Sequence, residues 1–170
     1  SAYQWADERI SHLNELTRQL ACKPNELAER ITQMQSKNKE LDKKLRSFEQ
    51  KGQAGLAEEL LKQAEQIGDL RFIKAVVPDL SPNDLRSLAA QINKRAAPSL
   101  VLLASETNGK CGLVCISSPE AVEAGHQAGK HLGELARVLG GKGGGKPDFA
   151  MGGAPAGQGL QKAIDSVSFS

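Results

Sequence analysis

The chain has 170 residues, with 22 basic and 20 acidic side chains and a formal net charge of +2 at pH 7. That length fits one or two small domains, and so small a net charge excludes nucleic-acid binding through bulk charge alone. Cys22, Cys111 and Cys115 form no paired framework and favour a reducing compartment such as the cytoplasm, and no apolar run has the length that a membrane partner would require. The chain begins without Met on a helix-like segment, which predicts a fragment of a longer protein.

Residues 1–67 are predicted to form helices with narrow apolar stripes. Apolar side chains recur at spacings of three and four, a heptad pattern, on both sides of an interruption at Cys22–Asn25. A register break at Lys51–Gly55 then predicts a third, shorter helix over Leu56–Ile67. One narrow stripe cannot bury itself, so we expect an oligomerisation subdomain that is either an intramolecular hairpin or a dimer seam. The stripe residues are Ile10, Leu13, Leu27, Ile31, Met34, Leu41, Leu45 and Phe48.

Residues 68–170 predict a small globular α/β domain. The expected strands are Leu70–Val77, Ser99–Ala104 and Cys111–Ser117, and the expected helices are Ser81–Ala97, Ser118–Leu139 and Gln158–Val167. Strands joined through a helix should be parallel, and those joined by the turn at Glu106–Gly109 antiparallel. The predicted fold class is therefore α+β: an N-terminal helical hairpin or coiled coil, then an α/β sandwich with a mixed sheet of three or four strands.

A glycine-rich segment at residues 140–157 opens with Gly-Gly-Lys-Gly-Gly-Gly-Lys-Pro. Such a segment can curl into a concavity of exposed amides that suits phosphate, with Lys142 and Lys146 at its rim. Lys130 and Arg137 share one face of the preceding helix and are expected to join this basic cluster. The alternative is a flexible tether. A P-loop is excluded, because Pro147 stands where the metal-binding hydroxyl residue is required.

The other reactive side chains form no catalytic constellation. Cys111 and Cys115 lie four apart on a predicted strand, roughly 13 Å at ~3.3 Å per residue, too far to share a metal. His126 and His131 lie about 140° apart around a helix axis, so we expect them not to converge. We therefore predict no cofactor, no metal and no enzymatic activity for this fragment.

Residues Gly140–Asp148, together with Met151-Gly-Gly153, resemble the C-terminal signature of alanyl-tRNA synthetase. Gly55–Ala64 and Val114–Ser118 fit the same region in order, so the resemblance covers nearly the whole chain. It implies a helical part and a globular part related to the DHH-phosphoesterase-associated domain, with the ligase and editing centres in upstream domains of the same chain. It further implies binding to the elbow of tRNA, with tRNA-Ala as the expected species, support for dimerisation, and help in coupling aminoacylation with editing.

On this resemblance, glycine amides are expected to approach the RNA backbone while cations pair with phosphates and Phe149 lies against an exposed base pair. The expected RNA-binding residues are Lys142, Gly143, Gly144, Gly145, Lys146, Lys130, Arg137 and Phe149. Two alternatives stay open. The chain could be the nucleic-acid-binding domain of a DHH-type phosphoesterase or nuclease, or a purely structural dimerisation module with an inert glycine-rich loop.

Overall fold

The computed structural model describes residues 1–157 and 159–169. It divides into two compact units, Ser1–Lys51 and Gly52–Ser170. The sequence places the boundary after residue 67 instead. The unit that holds the sheet begins earlier because Ala57 and Leu60, near the end of the long second helix, are buried in one of the two cores of the sheet.

The first unit is helical. Helix α1 spans Ala2–Gln19 and begins with a capping box, in which the Ser1 side chain accepts from the Gln4 amide. A 3₁₀ turn at Pro24–Glu26 leads into helix α2, Leu27–Lys62, which continues into the second unit. Both predicted stripes are therefore helical. No residue of α1 is buried, and the buried residues of α2 all follow Lys51, so the stripes stay exposed.

The predicted helix break at Lys51–Gly55 is wrong, because α2 runs without interruption through both glycines. A glycine weakens a helix by about 1 kcal/mol relative to alanine but does not by itself end one. The buried residues Ala57 and Leu60 fix the next turns by tertiary packing, which supplies most helical stability in proteins. The end of the predicted third helix is also wrong, since Glu65–Ile67 form strand β1.

The second unit contains a six-stranded mixed sheet within the described residues, in the order β1-β2-β3-β4-β6-β5. After β1, the strands are β2 (Leu70–Val76), β3 (Ser99–Thr107), β4 (Lys110–Ser117), β5 (Lys142–Gly145) and β6 (Phe149–Pro155). The pair β2–β3 is parallel and β3–β4 is antiparallel, as expected, and the remaining neighbouring pairs are also antiparallel. The α+β class is confirmed, but three or four strands was too few, because β1, β5 and β6 were missed.

Helices cover the sheet on both faces. Helix α3 (Pro82–Ala96) packs on β3 and β4, with the Ser81 side chain accepting from the Asp84 amide at its start. On the opposite face, α5 (Ala128–Val138) packs on β4, β5 and β6, and α6 (Leu160–Asp165) packs on β2. The two cores are mainly aliphatic. None of the described helices combines the length and hydrophobicity needed to cross a bilayer.

One predicted helix of the second unit is divided in the structure. The single helix expected over Ser118–Leu139 is instead α4 (Pro119–Glu123) and α5, separated at Gly125, whose φ of +96° leaves the helical region. The β3–β4 hairpin is confirmed, with Asn108 and Gly109 both at positive φ as a tight two-residue turn requires. The predicted start of the last helix, Gln158, lies outside the described residues.

Candidate nucleic-acid interface

The glycine-rich segment folds as a β-hairpin. Strands β5 and β6 are antiparallel and joined by Pro147 and Asp148, with the Lys146 amide donating to the Phe149 carbonyl at 2.8 Å. The predicted curled concavity and the alternative of a flexible tether are both wrong as conformations. The segment is extended because its glycines pair with a second glycine-rich strand, where backbones without side chains can approach closely.

Several of these glycines are required by packing against α5. A Cβ added at Gly143 would lie 2.7 Å from the Leu132 side chain and 3.0 Å from the Gly152 Cα. One added at Gly129 of α5 would lie 2.8 Å from the Gly145 carbonyl oxygen. The Gly129 amide also donates to the Lys146 carbonyl at 3.2 Å, so the hairpin caps the start of the helix. These glycines therefore hold helix and hairpin together.

Only part of the glycine backbone is left free for a ligand. The Lys146 amide donates a hydrogen bond to the Phe149 carbonyl. Because hydrogen-bonded pairs alternate along an antiparallel ladder, the next such pair is Gly144 with Met151. Gly143 and Gly145 belong to the intervening pairs, and their amides point away from β6 at the edge of the sheet. The sequence analysis expected all three amides to be free.

Side chains of the hairpin divide between the two faces of the sheet. Because Gly143 faces α5, alternation directs Lys142 and Gly144 to the other face, and a Cβ at Gly144 would meet nothing within 4 Å. This is the face on which α3 packs over β3 and β4. It is uncovered beyond β4, where Gly144 and Gly153 are exposed and Met151 is half-buried. We call this surface the open face and define it by Lys142, Gly144, Lys146, Phe149, Met151 and Gly153.

Two cations that the sequence analysis missed border the open face. The guanidinium carbon of Arg86, on α3, lies 5.0 Å from the centroid of the Phe149 ring. Lys110, on β4, lines a shallow depression together with Lys142 and Gly153. Neither residue stands in a basic run. Their place becomes visible only once α3 is packed on the sheet and β4 is paired with β6.

The open-face cations have no acidic partner. Within residues 1–157 and 159–169, the ion pairs under 4 Å are Lys44–Glu40 and Arg95–Glu58. Arg86, Lys110, Lys142 and Lys146 are all exposed and take part in neither pair. Among the described residues, the face therefore presents four cations without an acidic partner within 4 Å, around a floor that includes Gly144 and Gly153.

The other two predicted cations lie elsewhere. Lys130 and Arg137 are exposed on α5, the helix that packs on the opposite face of the sheet. From the sequence, Lys130 and Arg137 were expected to form one cluster with Lys142 and Lys146, because the strand that begins at Lys142 was not predicted. The four cations do not share one face.

The histidines converge, contrary to the expectation from sequence. The His126 and His131 rings are stacked with centroids 5.7 Å apart, and Phe72 and Phe169 complete the aromatic cluster. The helical geometry used in the prediction does not hold, because the chain turns at Gly125 between α4 and α5. Burial, followed by the neighbouring His126, lowers the pKa of His131. Among the described residues, no three metal-binding side chains are grouped as a metal site would need.

The two strand cysteines are packing residues. Cys111 and Cys115 are both buried in the core beneath α5. Burial raises the pKa of Cys115 to about 12, and burial with the nearby Glu106 raises the pKa of Cys111. Because the thiolate is the reactive form, neither side chain is poised as a nucleophile at neutral pH.

Comparisons with known proteins identify the family of the chain. Residues 69–168 match the DHHA1 domain family. The chain is 42% identical over 153 residues to the alanine–tRNA ligase of Opitutus terrae, an alignment that covers 90% of this chain and 16% of that protein. It spans a similar 18% of the alanine–tRNA ligase of Trichodesmium erythraeum, at 31% identity.

Solved structures agree. The C-Ala domain of Aquifex aeolicus alanyl-tRNA synthetase is 30% identical with a TM-score of 0.54, covering 60% of this chain and 91% of that one. Exonuclease RecJ bound to manganese is 19% identical with a TM-score of 0.50, covering 85% of this chain and 31% of that one, and shares the fold alone. The chain belongs to the DHHA1 domain family, as a C-terminal C-Ala region of the alanyl-tRNA synthetase kind.

Proposed function

We propose that this chain is the non-catalytic tRNA-binding region of an alanine–tRNA ligase, and that its open face holds the RNA. The observation that supports this most is the set of four exposed cations around Gly144 and Gly153, none of which has an acidic partner within 4 Å in the described part of the chain. RNA carries dense negative charge along its backbone, so the two surfaces are complementary. The family match supplies tRNA as the RNA class, since the relatives are alanine–tRNA ligases.

The open face contacts the tRNA through its backbone. Lys142 and Lys146 are four residues apart on the hairpin, roughly 13 Å at ~3.3 Å per residue, so they reach different phosphates. The missing side chains at Gly144 and Gly153 let a sugar or phosphate lie close to the sheet. Contacts of this kind fix the position of the RNA without reading its sequence. The compact elbow of tRNA-Ala is the part of the molecule that we assign to this face.

The edge of β5 gives a second, smaller contribution. The free amides of Gly143 and Gly145 are donors there, and Lys130 and Arg137 on α5 face solvent on its other side. These cations reach only RNA that bends around the edge. The region acts with the ligase and editing domains of the same cytoplasmic protein, which it helps to couple by holding one tRNA.

The first unit serves dimerisation. Most of the predicted stripe side chains are exposed, from 39% for Leu13 to 72% for Phe48, and Leu27 is half-buried. An apolar stripe along a helix is the pattern that pairs helices in a seam. We assign it to a second copy of this chain, with Ile10 and Leu13 of α1 and Leu41 and Leu45 of α2 among the contacts.

Filter binding of a tRNA transcript across a series of salt concentrations tests the RNA assignment. The double variant Lys142→Ala with Lys146→Ala should bind more weakly, and the slope of log affinity against log salt should fall by about two. The control is Lys94→Ala with Lys162→Ala, which removes the same charge from exposed positions on α3 and α6.

Equal binding by the test pair, the control pair and the parent chain would refute the assignment. A single-stranded DNA oligonucleotide, titrated in parallel, separates the alternative. Binding of that DNA as tight as binding of tRNA would favour the substrate-binding domain of a DHH-type nuclease.

A further inference from the structure

We infer that Phe149 is a platform that fixes Arg86 for a phosphate contact, rather than a surface for a base. This inference rests on the proposed RNA-binding function of the open face. It changes the role expected for Phe149 from the sequence, and it assigns a binding role to an arginine that lies more than fifty residues away in the chain.

The Phe149 ring lies close to the Arg86 guanidinium. The guanidinium carbon of Arg86 stands 5.0 Å from the Phe149 centroid, within the ~6 Å range of a cation–π contact. The Phe149 side chain is half-buried and packs against the core beneath α3. The ring is thus shared between core contacts and the guanidinium, and a stacked nucleobase would have to compete with Arg86 for it.

The Arg86 guanidinium can contact Phe149 and still donate hydrogen bonds to a ligand. A guanidinium that stacks through its plane keeps its N–H donors free at the edge, and these match the oxygens of a phosphate bidentately. Arg86 is exposed and has no acidic partner within 4 Å among the described residues. Stacking also restricts the side chain in advance, which lowers the entropy lost on binding.

The position of Arg86 places it beside another cation of the open face. Lys146 lies directly opposite Phe149 in the hairpin, so Arg86 and Lys146 stand together at the turn end of the open face. Lys110 and Lys142 line the depression toward the other end. The face is thereby cationic at both ends, and a backbone that crosses the glycine floor meets a positive charge on entering and on leaving.

A double-mutant cycle on tRNA binding tests the platform. Arg86→Ala should weaken binding and lower the magnitude of the salt slope by about one. Phe149→Leu keeps apolar bulk but removes the ring, and should weaken binding only while Arg86 is present. In the Arg86→Ala background, Phe149→Leu should therefore change the dissociation constant by less than about twofold.

Two outcomes would overturn the inference. One is normal binding by Arg86→Ala. The other is an equal loss from Phe149→Leu with and without Arg86, which would mean that the ring contacts RNA directly. Arg95→Ala is the matched control, because Arg95 is also exposed on α3 but is paired with Glu58. Thermal unfolding of each variant checks the fold, and Arg86, being exposed, can be replaced without touching the core.

The Lys142→Ala, Lys146→Ala pair run in the same assay separates this inference from the proposed function. If that pair loses binding while Arg86→Ala does not, only the platform role fails. If both bind like the parent chain, the proposed function itself fails.

Discussion

The two units of the chain use their hydrophobic residues in opposite ways. In the sheet unit, apolar side chains from both faces are buried, and Leu102 at its centre is 0% exposed. In the helical unit, Leu41 has the same side chain at 53% exposure and no residue up to Lys51 is buried. The sheet unit therefore carries its own core, whereas the helical unit carries an exposed apolar surface.

This contrast also bears on where the proposed RNA-binding and dimerisation surfaces lie. A domain that is packed on both faces leaves little surface for a ligand except where a helix is missing, and here that place is the open face. A helix with an exposed apolar stripe has its interaction surface along its whole length. The proposed RNA surface is thus local and polar, and the proposed dimer surface is long and apolar.

The largest effect should come from one substitution made in each unit. Leu102→Ala removes buried methyl groups and leaves a cavity, so the free energy of unfolding should fall by about 2–5 kcal/mol. Leu41→Ala in dilute monomer should change it by less than about 0.5 kcal/mol, because that side chain is already in water. Urea titrations measure both, and similar losses for the two variants would contradict the contrast.

The second prediction turns to the helical unit at concentrations where it associates. Leu41→Asp places an unpaired charge in the proposed seam and should raise the dimer dissociation constant by more than about tenfold. Lys43→Asp changes an exposed residue that is not part of the stripe and should have a much smaller effect. Analytical ultracentrifugation distinguishes them. If the parent chain stays monomeric at micromolar concentration, the proposed dimer seam is wrong.

The third prediction compares neighbouring glycines of β5. Gly143→Ala should cost about 1–3 kcal/mol, because its methyl group would be forced against Leu132 and Gly152. Gly144→Ala, with open space around its Cβ, should stay within about 0.5 kcal/mol. Thermal unfolding measures the pair. Equal stabilities would mean that the hairpin does not pack under α5 in the way described.

The parts of the fold that are specified by neighbouring residues could be predicted from the sequence. Where a local signal exists, the prediction is confirmed: the Ser81 cap, the Asn108–Gly109 turn and the parallel pair joined through α3 all follow from nearby residues. The spacing of the apolar stripe residues predicted their helical structure equally well. The family was identified from the glycine-rich motif, and the match of residues 69–168 confirms it.

The failures share a different cause, which is tertiary contact. Glycines at Lys51–Gly55 and in β5 read as breaks and loops, yet packing of α2 and α5 makes one segment helical and the other extended. The position of Arg86 beside Phe149 needs α3 to be docked on the sheet, so no local pattern could find it. Whether the predicted residues contact RNA stays a prediction.

The smallest expected effect concerns the aromatic cluster of the sheet unit. Burial lowers the pKa of His131 in the folded protein from its ordinary value of 6.5, so the unfolded chain binds more protons as the pH falls below that value. Stability that is present above pH 6.5 should thus decline below it. His131→Gln should flatten this decline relative to the parent in urea titrations at pH 5 to 7.5, a range of ~2.5 pH units. An unchanged pH profile would show that His131 is not the group responsible.

The most direct test of the central claim compares the two faces of the sheet for tRNA binding. Lys142→Ala with Lys146→Ala removes two charges from the open face, and Lys130→Ala with Arg137→Ala removes two from α5 on the other. Filter binding at one low and one physiological salt concentration gives both dissociation constants. We predict that the open-face pair loses clearly more affinity than the α5 pair. An equal or larger loss from the α5 pair would contradict the account, and a larger loss would place the RNA on the opposite side of the sheet.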